Sequence, residues 1–161
     1  MIGHRLVLTA CLALLTACGP PPPPPGVGSL LPDIELATLE GESWSSDDLE
    51  GPAVITFWAT WCQPCLKDIP VFNDLAEEGD LEIVAIALDE SGPLAVEPFL
   101  ADHAFRARIL LGDEATFRRF GGSTVPHSLV VDSTHTVRGI FRGPVTRGEI
   151  LASLATPTAG D

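Results

Sequence analysis

Positive charge and cysteine are both scarce in this chain. Its 161 residues hold 9 Lys and Arg against 22 Asp and Glu, a formal net charge of −13. A partner built of phosphates needs clustered Lys and Arg, and no such cluster occurs, so nucleic acid is excluded as a partner. The acidic excess reads as a solvated surface. There is no internal repeat, and no apolar run reaches the ~20 residues that cross a bilayer. What remains is an apolar fraction of 45% with 19% charged residues, which suits one globular domain with a tail rather than a fibrous or disordered chain.

The N-terminus has an address rather than a fold. His4-Arg5 is a short basic start, and Leu6 to Leu15 is almost wholly apolar. That pattern reads as an export signal, because the run is too short to span and is followed by prolines. Leu15-Thr16-Ala17-Cys18 resembles a bacterial lipobox. The resemblance implies cleavage after residue 17 and a lipid on Cys18, an anchor to the cell envelope. Cleavage at a small-residue site without lipidation is the alternative. Pro20 to Pro25 follow without a break, and polyproline at ~3.1 Å per residue makes a semi-rigid spacer of roughly 19 Å. An SH3-type ligand is a poor alternative in an exported protein. The expected organisation is a signal over 1–17, lipidated Cys18 and spacer over 18–29, a folded domain over 30–156, and a tail over 157–161.

Of four cysteines, Cys11 leaves with the signal and Cys18 carries the lipid. Only Cys62 and Cys65 remain in the domain, so disulfides are not its framework. Structural zinc would need four ligands. His103, His127 and His135 are scattered and there is no second CxxC, so no metal site is expected.

Residues 34–39 and 53–58 read as strands, the latter β-branched and aromatic. After the CxxC, Leu66, Ile69, Phe72 and Leu75-Ala76 keep helical spacing, with Pro70 predicted to kink the helix and Gly79-Asp80 to end it. Leu81 to Leu88 is a near-continuous apolar strand of the kind buried on both faces. Pro93 to His103 predicts a helix interrupted by Pro98, and Ile109-Leu111 a short strand. A further helix is expected over Asp113 to Phe120. Leu129-Val131 and Thr136-Phe141 form a hairpin turning at Asp132-Ser133, and Glu149 to Leu154 a last helix. This order predicts an α/β domain on one central sheet.

Trp61-Cys62-Gln63-Pro64-Cys65 lies at a strand-to-helix junction. A helix N-terminus at Cys62 would favour its thiolate, and Pro64 fits a first turn. Cys62 then attacks a partner's disulfide and Cys65 resolves the mixed disulfide.

Phe57-Trp58-Ala59-Thr60-Trp61-Cys62-Gln63-Pro64-Cys65, with Asp68 and Pro70, resembles the thioredoxin superfamily and, more narrowly, its TlpA/ResA-like redoxins. The likeness runs from about Leu31 to Leu154. It implies a thioredoxin-like fold: a central mixed sheet flanked by helices, an N-terminal hairpin, and an extra αβ unit over Pro93–Leu111. It also implies that Thr124-Val125-Pro126 is a loop ending in a cis-proline that faces the CxxC, where Val125 pairs with an extended substrate. Asp68 falls where the subfamily has a glutamate that serves the buried cysteine; a solvated helix charge is the plainer reading. Thr56 stands where thioredoxin proper has a buried aspartate. His127 follows Pro126 and either tunes Cys62 or points into the sheet. Trp58 is expected in the core and Trp61 at the rim, leaving Cys62 exposed, with Gln63 and Pro64 beside it.

The resemblance implies a thiol–disulfide oxidoreductase with no cofactor beyond its own Cys62–Cys65 pair. Its partners would be exported protein disulfides, for example in cytochrome c or copper-site assembly, and a membrane thiol donor. The rival is a copper(I) chaperone using Cys62, Cys65 and His127. A peroxidase fits less well, because the Pro and Thr spacing before the cysteine is missing.

Overall fold

The computed structural model describes residues 22–156. The signal, Cys18 and the 157–161 tail therefore lie outside the described residues. Seven strands form one sheet in the order β2-β1-β5-β4-β3-β6-β7. They are β1 (Glu35–Thr38), β2 (Ser43–Ser45), β3 (Ala53–Trp58), β4 (Glu82–Ala87), β5 (Arg108–Leu111), β6 (His127–Val131) and β7 (Val137–Arg142). The helices are α1 (Ile69–Glu78), α2 (Pro93–Asp102), α3 (Glu114–Arg119) and α4 (Arg147–Ala155). β3, β4 and β5 run parallel, while β1–β2, β1–β5, β3–β6 and β6–β7 are antiparallel. The mixed sheet, the β1–β2 hairpin and the α2–β5 unit are those of a thioredoxin-like fold.

β3 is buried along its whole length, as is β6. Strand alternation sorts their side chains to two faces. Ile55, Phe57, Ile86 and Leu129 pack on one face with Phe117 and Phe120 around α3. Val54 and Val130 pack on the other with Phe72 and Leu75 of α1 and Ile150 of α4. Near the ends of β3 and β4, Trp58, Ala85 and Ala87 meet Val96 of α2 and both cysteines.

Three local expectations are revised. Pro70 does not kink a continuous helix but sits in the first turn of α1, preceded by a 3-10 turn over Cys65–Lys67. Pro70 has no N–H to offer the carbonyl of Leu66, so the α-helical ladder begins only beyond it. Pro98, expected to interrupt its helix, lies inside α2; the lost rung falls between two exposed residues, Leu94 and Pro98. The β6–β7 turn spans Asp132 to Thr136 rather than two residues, with His135 at φ 58°. The side chain of Asp132 accepts from the amides of Thr134 and Thr136 and holds that wider turn. Gly79 ends α1 at φ 78°, a conformation that costs glycine little.

Candidate active site

The C-terminal end of β3 delivers the chain into Ala59–Cys65. The amide of Cys62 donates to the Ala59 carbonyl, and that of Cys65 to the Cys62 carbonyl, both at 3.0 Å. This tight turn joins Cys62 and Cys65 in a disulfide with Cα atoms 5.3 Å apart. The Cys65 N–H also points at Sγ of Cys62, 3.2 Å away. An α-helix N-terminus was expected here, but the donor to Cys62 belongs to a 3-10 turn. The local effect is retained, since an N–H aimed at sulfur favours a thiolate.

Both cysteines are 3% exposed, so Cys62 is less open than the sequence suggests. They differ in what they face. Cys62 lines a groove of about 970 Å³, whereas Cys65 does not. The groove runs between residues 60–64, residues 88–91 and the Ser123–Val125 loop, with Glu114 and Phe117 on its flank. Gln63 and Pro64 are in its wall as expected. Trp61 is 67% exposed at the rim, while Trp58 is 2% exposed beneath. Phe99 and Phe105 pack on the Trp58 ring, so the α2–β5 unit walls the back of the site.

The Val125–Pro126 bond is cis, as the resemblance implies. The amides and carbonyls of Thr124 and Val125 have no backbone partner among the described residues, which leaves these groups open to a substrate strand. Gly122 shapes this loop. A Cβ there would lie 2.0–2.6 Å from the Phe117 ring. Gly122→Ala is thus expected to cost about 1–3 kcal/mol in denaturant unfolding and, because Phe117 lines the groove, to raise the KM for a protein disulfide.

Asp68 is 2% exposed, which replaces the solvated-charge reading with a buried one. Its Oδ1 accepts from the Val145 N–H at 3.1 Å, and Oδ2 has no partner. Burial pushes its pKa up to about 6, against the opposing pull of the Val145 N–H. At position 56, Thr56 Oγ1 and Ser128 Oγ share a buried 2.8 Å hydrogen bond, a satisfied neutral pair.

His127 is turned away from the groove. It pairs in register with Phe57, so strand alternation sends both rings to the α3 face. It is fully buried, with Nε2 2.9 Å from the Phe120 carbonyl and rings of Phe57 and Phe117 around it. Burial lowers its pKa, against the opposing pull of the Phe120 carbonyl. Of the two readings of His127, the structure has the one that points into the sheet; a place for His127 beside Cys62 and the substrate is corrected, and with it the copper ligand set of Cys62, Cys65 and His127. No group of three or more His, Cys, Asp or Glu among the described residues is placed to hold a metal ion.

Asp89 was overlooked in the sequence. Its carboxylate accepts from the Thr60 N–H at 3.1 Å and from the Thr60 hydroxyl at 2.6 Å, tying the active-site turn to the end of β4. An acid directly after a buried parallel strand was the available signal, since such strand ends carry sites in α/β sheets.

Residues 27–140 match the AhpC/TSA family. The thiol-disulfide oxidoreductase ResA of Geobacillus thermodenitrificans is 30% identical over 129 residues, 77% of this chain and 74% of that protein. The thioredoxin-like protein YneN of Bacillus subtilis is 27% identical over 128 residues, 76% of this chain and 75% of its own. Among solved structures, a putative thiol:disulfide interchange protein DsbE from Chlorobium tepidum superposes with a TM-score of 0.70 at 25% identity, covering 81% of this chain and 99% of that one.

Proposed function

We propose, from the premise that this chain belongs to the AhpC/TSA family and is a thiol–disulfide oxidoreductase, that it reduces disulfides of exported proteins from a lipid anchor in the bacterial envelope. One observation carries the reading: the Cys62–Cys65 disulfide faces, through Cys62, a groove whose far wall is the open backbone edge ending at cis-Pro126. An extended substrate lying on Thr124-Val125 would bring its own disulfide over Cys62. Trp61, Gln63 and Pro64 flank the approach.

In this reading, residues 1–17 are the export signal and Cys18 bears the lipid. The dithiol form acts. Cys62 thiolate attacks a substrate sulfur, and the substrate's other sulfur leaves as a thiolate that takes up a proton. Cys65, giving up its proton, then displaces the bound substrate sulfur and reforms the Cys62–Cys65 disulfide. Asp68, with a pKa near that of a working acid–base group, exchanges protons with Cys65 during that step. Disulfides of cytochrome c assembly are a fitting substrate class, and an integral membrane dithiol protein would restore the reduced form.

The test is the reduction potential of the Cys62–Cys65 pair, titrated against a dithiol buffer. A value below roughly −240 mV is expected, in the range of thioredoxin-like reductants. One above about −150 mV would mark a donor of disulfides and reverse the direction proposed.

A further inference from the structure

The proline-rich segment is not only a spacer. Its C-terminal part is built into the domain. The amide of Gly28 donates to the Val137 carbonyl, that of Val137 to the Ser29 carbonyl, and that of Leu31 to the His135 carbonyl, each at 2.8 Å. Residues 28–31 thus run antiparallel to residues 135–137, at the start of β7, the edge strand of the sheet. The contact continues upstream. A Cβ on Gly121 would lie 3.2 Å from Cβ of Pro24 and 3.8 Å from the Arg142 guanidinium. Pro24 therefore sits beside Gly121, at the start of the loop that leads to cis-Pro126. A proline there covers a sheet edge without asking for a hydrogen bond.

Direction follows from this pairing. β6 begins at the active-site end, beside cis-Pro126, and β7 returns to that end at Arg142, which pairs with His127. Leu31, beside His135, is at the far end of the sheet. Going towards the N-terminus from Leu31, the chain therefore travels toward the active-site end and reaches Gly121 with Pro24. Gly121 is two residues from Ser123, which lines the groove with Cys62. Cys18 is four residues before Pro22, so even a fully extended chain holds it within about 14 Å of that proline.

We infer that Pro22–Leu31 is a strap that turns the active-site end of the domain toward the surface to which its N-terminus is attached, so that the groove is served by a dithiol protein embedded in that surface. The inference rests on the lipid anchor at Cys18 proposed above. Four large apolar side chains are exposed among the described residues. Trp61 lines the groove, Leu94 lies beside the groove residue Ala95, Val27 lies on the strap, and Leu30 sits at the far end of the sheet beside Thr136. Tryptophan is favoured at a membrane–water interface. The groove itself is lined by Asp89, Glu90 and Glu114 and by no Lys or Arg, so acidic head groups are repelled from it. Its occupant is therefore a protein presented by the membrane rather than lipid.

The exchange balances without further reactants. A partner thiolate attacks Sγ of Cys62, the bond to Cys65 breaks, and the Cys65 thiolate takes up a proton. The partner's second thiolate then attacks its own sulfur in the mixed disulfide and releases Cys62, which is protonated in turn. The partner is oxidised by two electrons to a disulfide, and this domain is reduced by two.

Trp44 and Trp58 are 4% and 2% exposed, so Trp61 is a selective fluorescent reporter of the active-site end. The acylated full chain would be placed in vesicles of phosphatidylcholine, which carries no net charge, with a head-group nitroxide lipid. Trp61→Phe identifies the Trp61 share of the emission. Quenching of that share is expected, and its loss in a Pro24→Gly/Gly28→Pro chain, where both attachments of the strap are broken. Unchanged disulfide reduction by dithiothreitol shows that this variant is folded. A second chain, lengthened by a flexible Gly/Ser insert between Cys18 and Pro20, should lose the quenching with the strap intact. Flotation with the vesicles but no Trp61 quenching, or equal quenching in all three chains, would overturn the strap alone. Failure of the acylated chain to float would overturn the anchor at Cys18, and this inference with it.

Discussion

Cys62→Ser is expected to abolish disulfide reduction, while Cys65→Ser yields a protein that couples to its substrate and stays coupled. The two sulfurs are equally buried, so exposure does not decide their roles. Position does: Cys62 lines the groove and Cys65 lies behind it. The Cys65 N–H, 3.2 Å from Sγ of Cys62, stabilises negative charge on the outer sulfur. Only a thiolate attacks at a useful rate, and a serine hydroxyl stays protonated at neutral pH. Losing Cys62 therefore leaves nothing that an incoming disulfide can reach. Losing Cys65 spares the first attack but removes the group that resolves it, so a mixed disulfide accumulates. Non-reducing electrophoresis with a disulfide-bonded protein substrate reads both outcomes. The assignment fails if Cys62→Ser keeps its activity or if Cys65→Ser traps no adduct.

The second large effect is at Asp68. Its carboxyl is buried, with one oxygen held by the Val145 N–H and the other unpartnered. Its pKa is raised from 3.8 to about 6 by desolvation. A raised acid pKa means that the folded state binds more protons than the unfolded state between those values. The group's favourable contribution is therefore complete below about pH 4 and is lost as pH rises through about 6. A shift of that size corresponds to about 3 kcal/mol. Stability of the oxidised protein should fall by that order between pH 4 and 7, and Asp68→Asn should remove this component. Asparagine keeps an oxygen for Val145 but cannot carry a proton to or from Cys65. The variant should thus resolve mixed disulfides about 100-fold more slowly, and its rate profile should lack the limb near pH 6. An unchanged profile with altered stability would leave Asp68 a structural residue and sink its proposed role.

The placement of Asp68 shows where sequence reading stops. Its spacing of three from Cys65 was legible, but whether it is solvated depends on Val145, far along the chain, closing over it. His127 gives the opposite lesson. Adjacent in sequence to Pro126, it could tune Cys62 or point into the sheet, and only its register with Phe57 decides for the sheet. Pro70 shows the same limit on a smaller scale: its missing N–H was readable, but not that the chain would place a 3-10 turn ahead of it.

The local chemistry of this protein was determined by its sequence alone. A CxxC after a buried β-branched strand, a Val-Pro loop and alternating strands and helices are short-range patterns set by dihedral preference, hydrophobic period and thiol chemistry. The tertiary structure decided what depends on contacts between distant segments. It buried Asp68 beside Val145, tied Thr60 to Asp89, sent His127 to the α3 face, and laid residues 28–31 against the start of β7. Such choices depend on strand register and on which face a side chain enters. Register is fixed only when the whole sheet closes over its core.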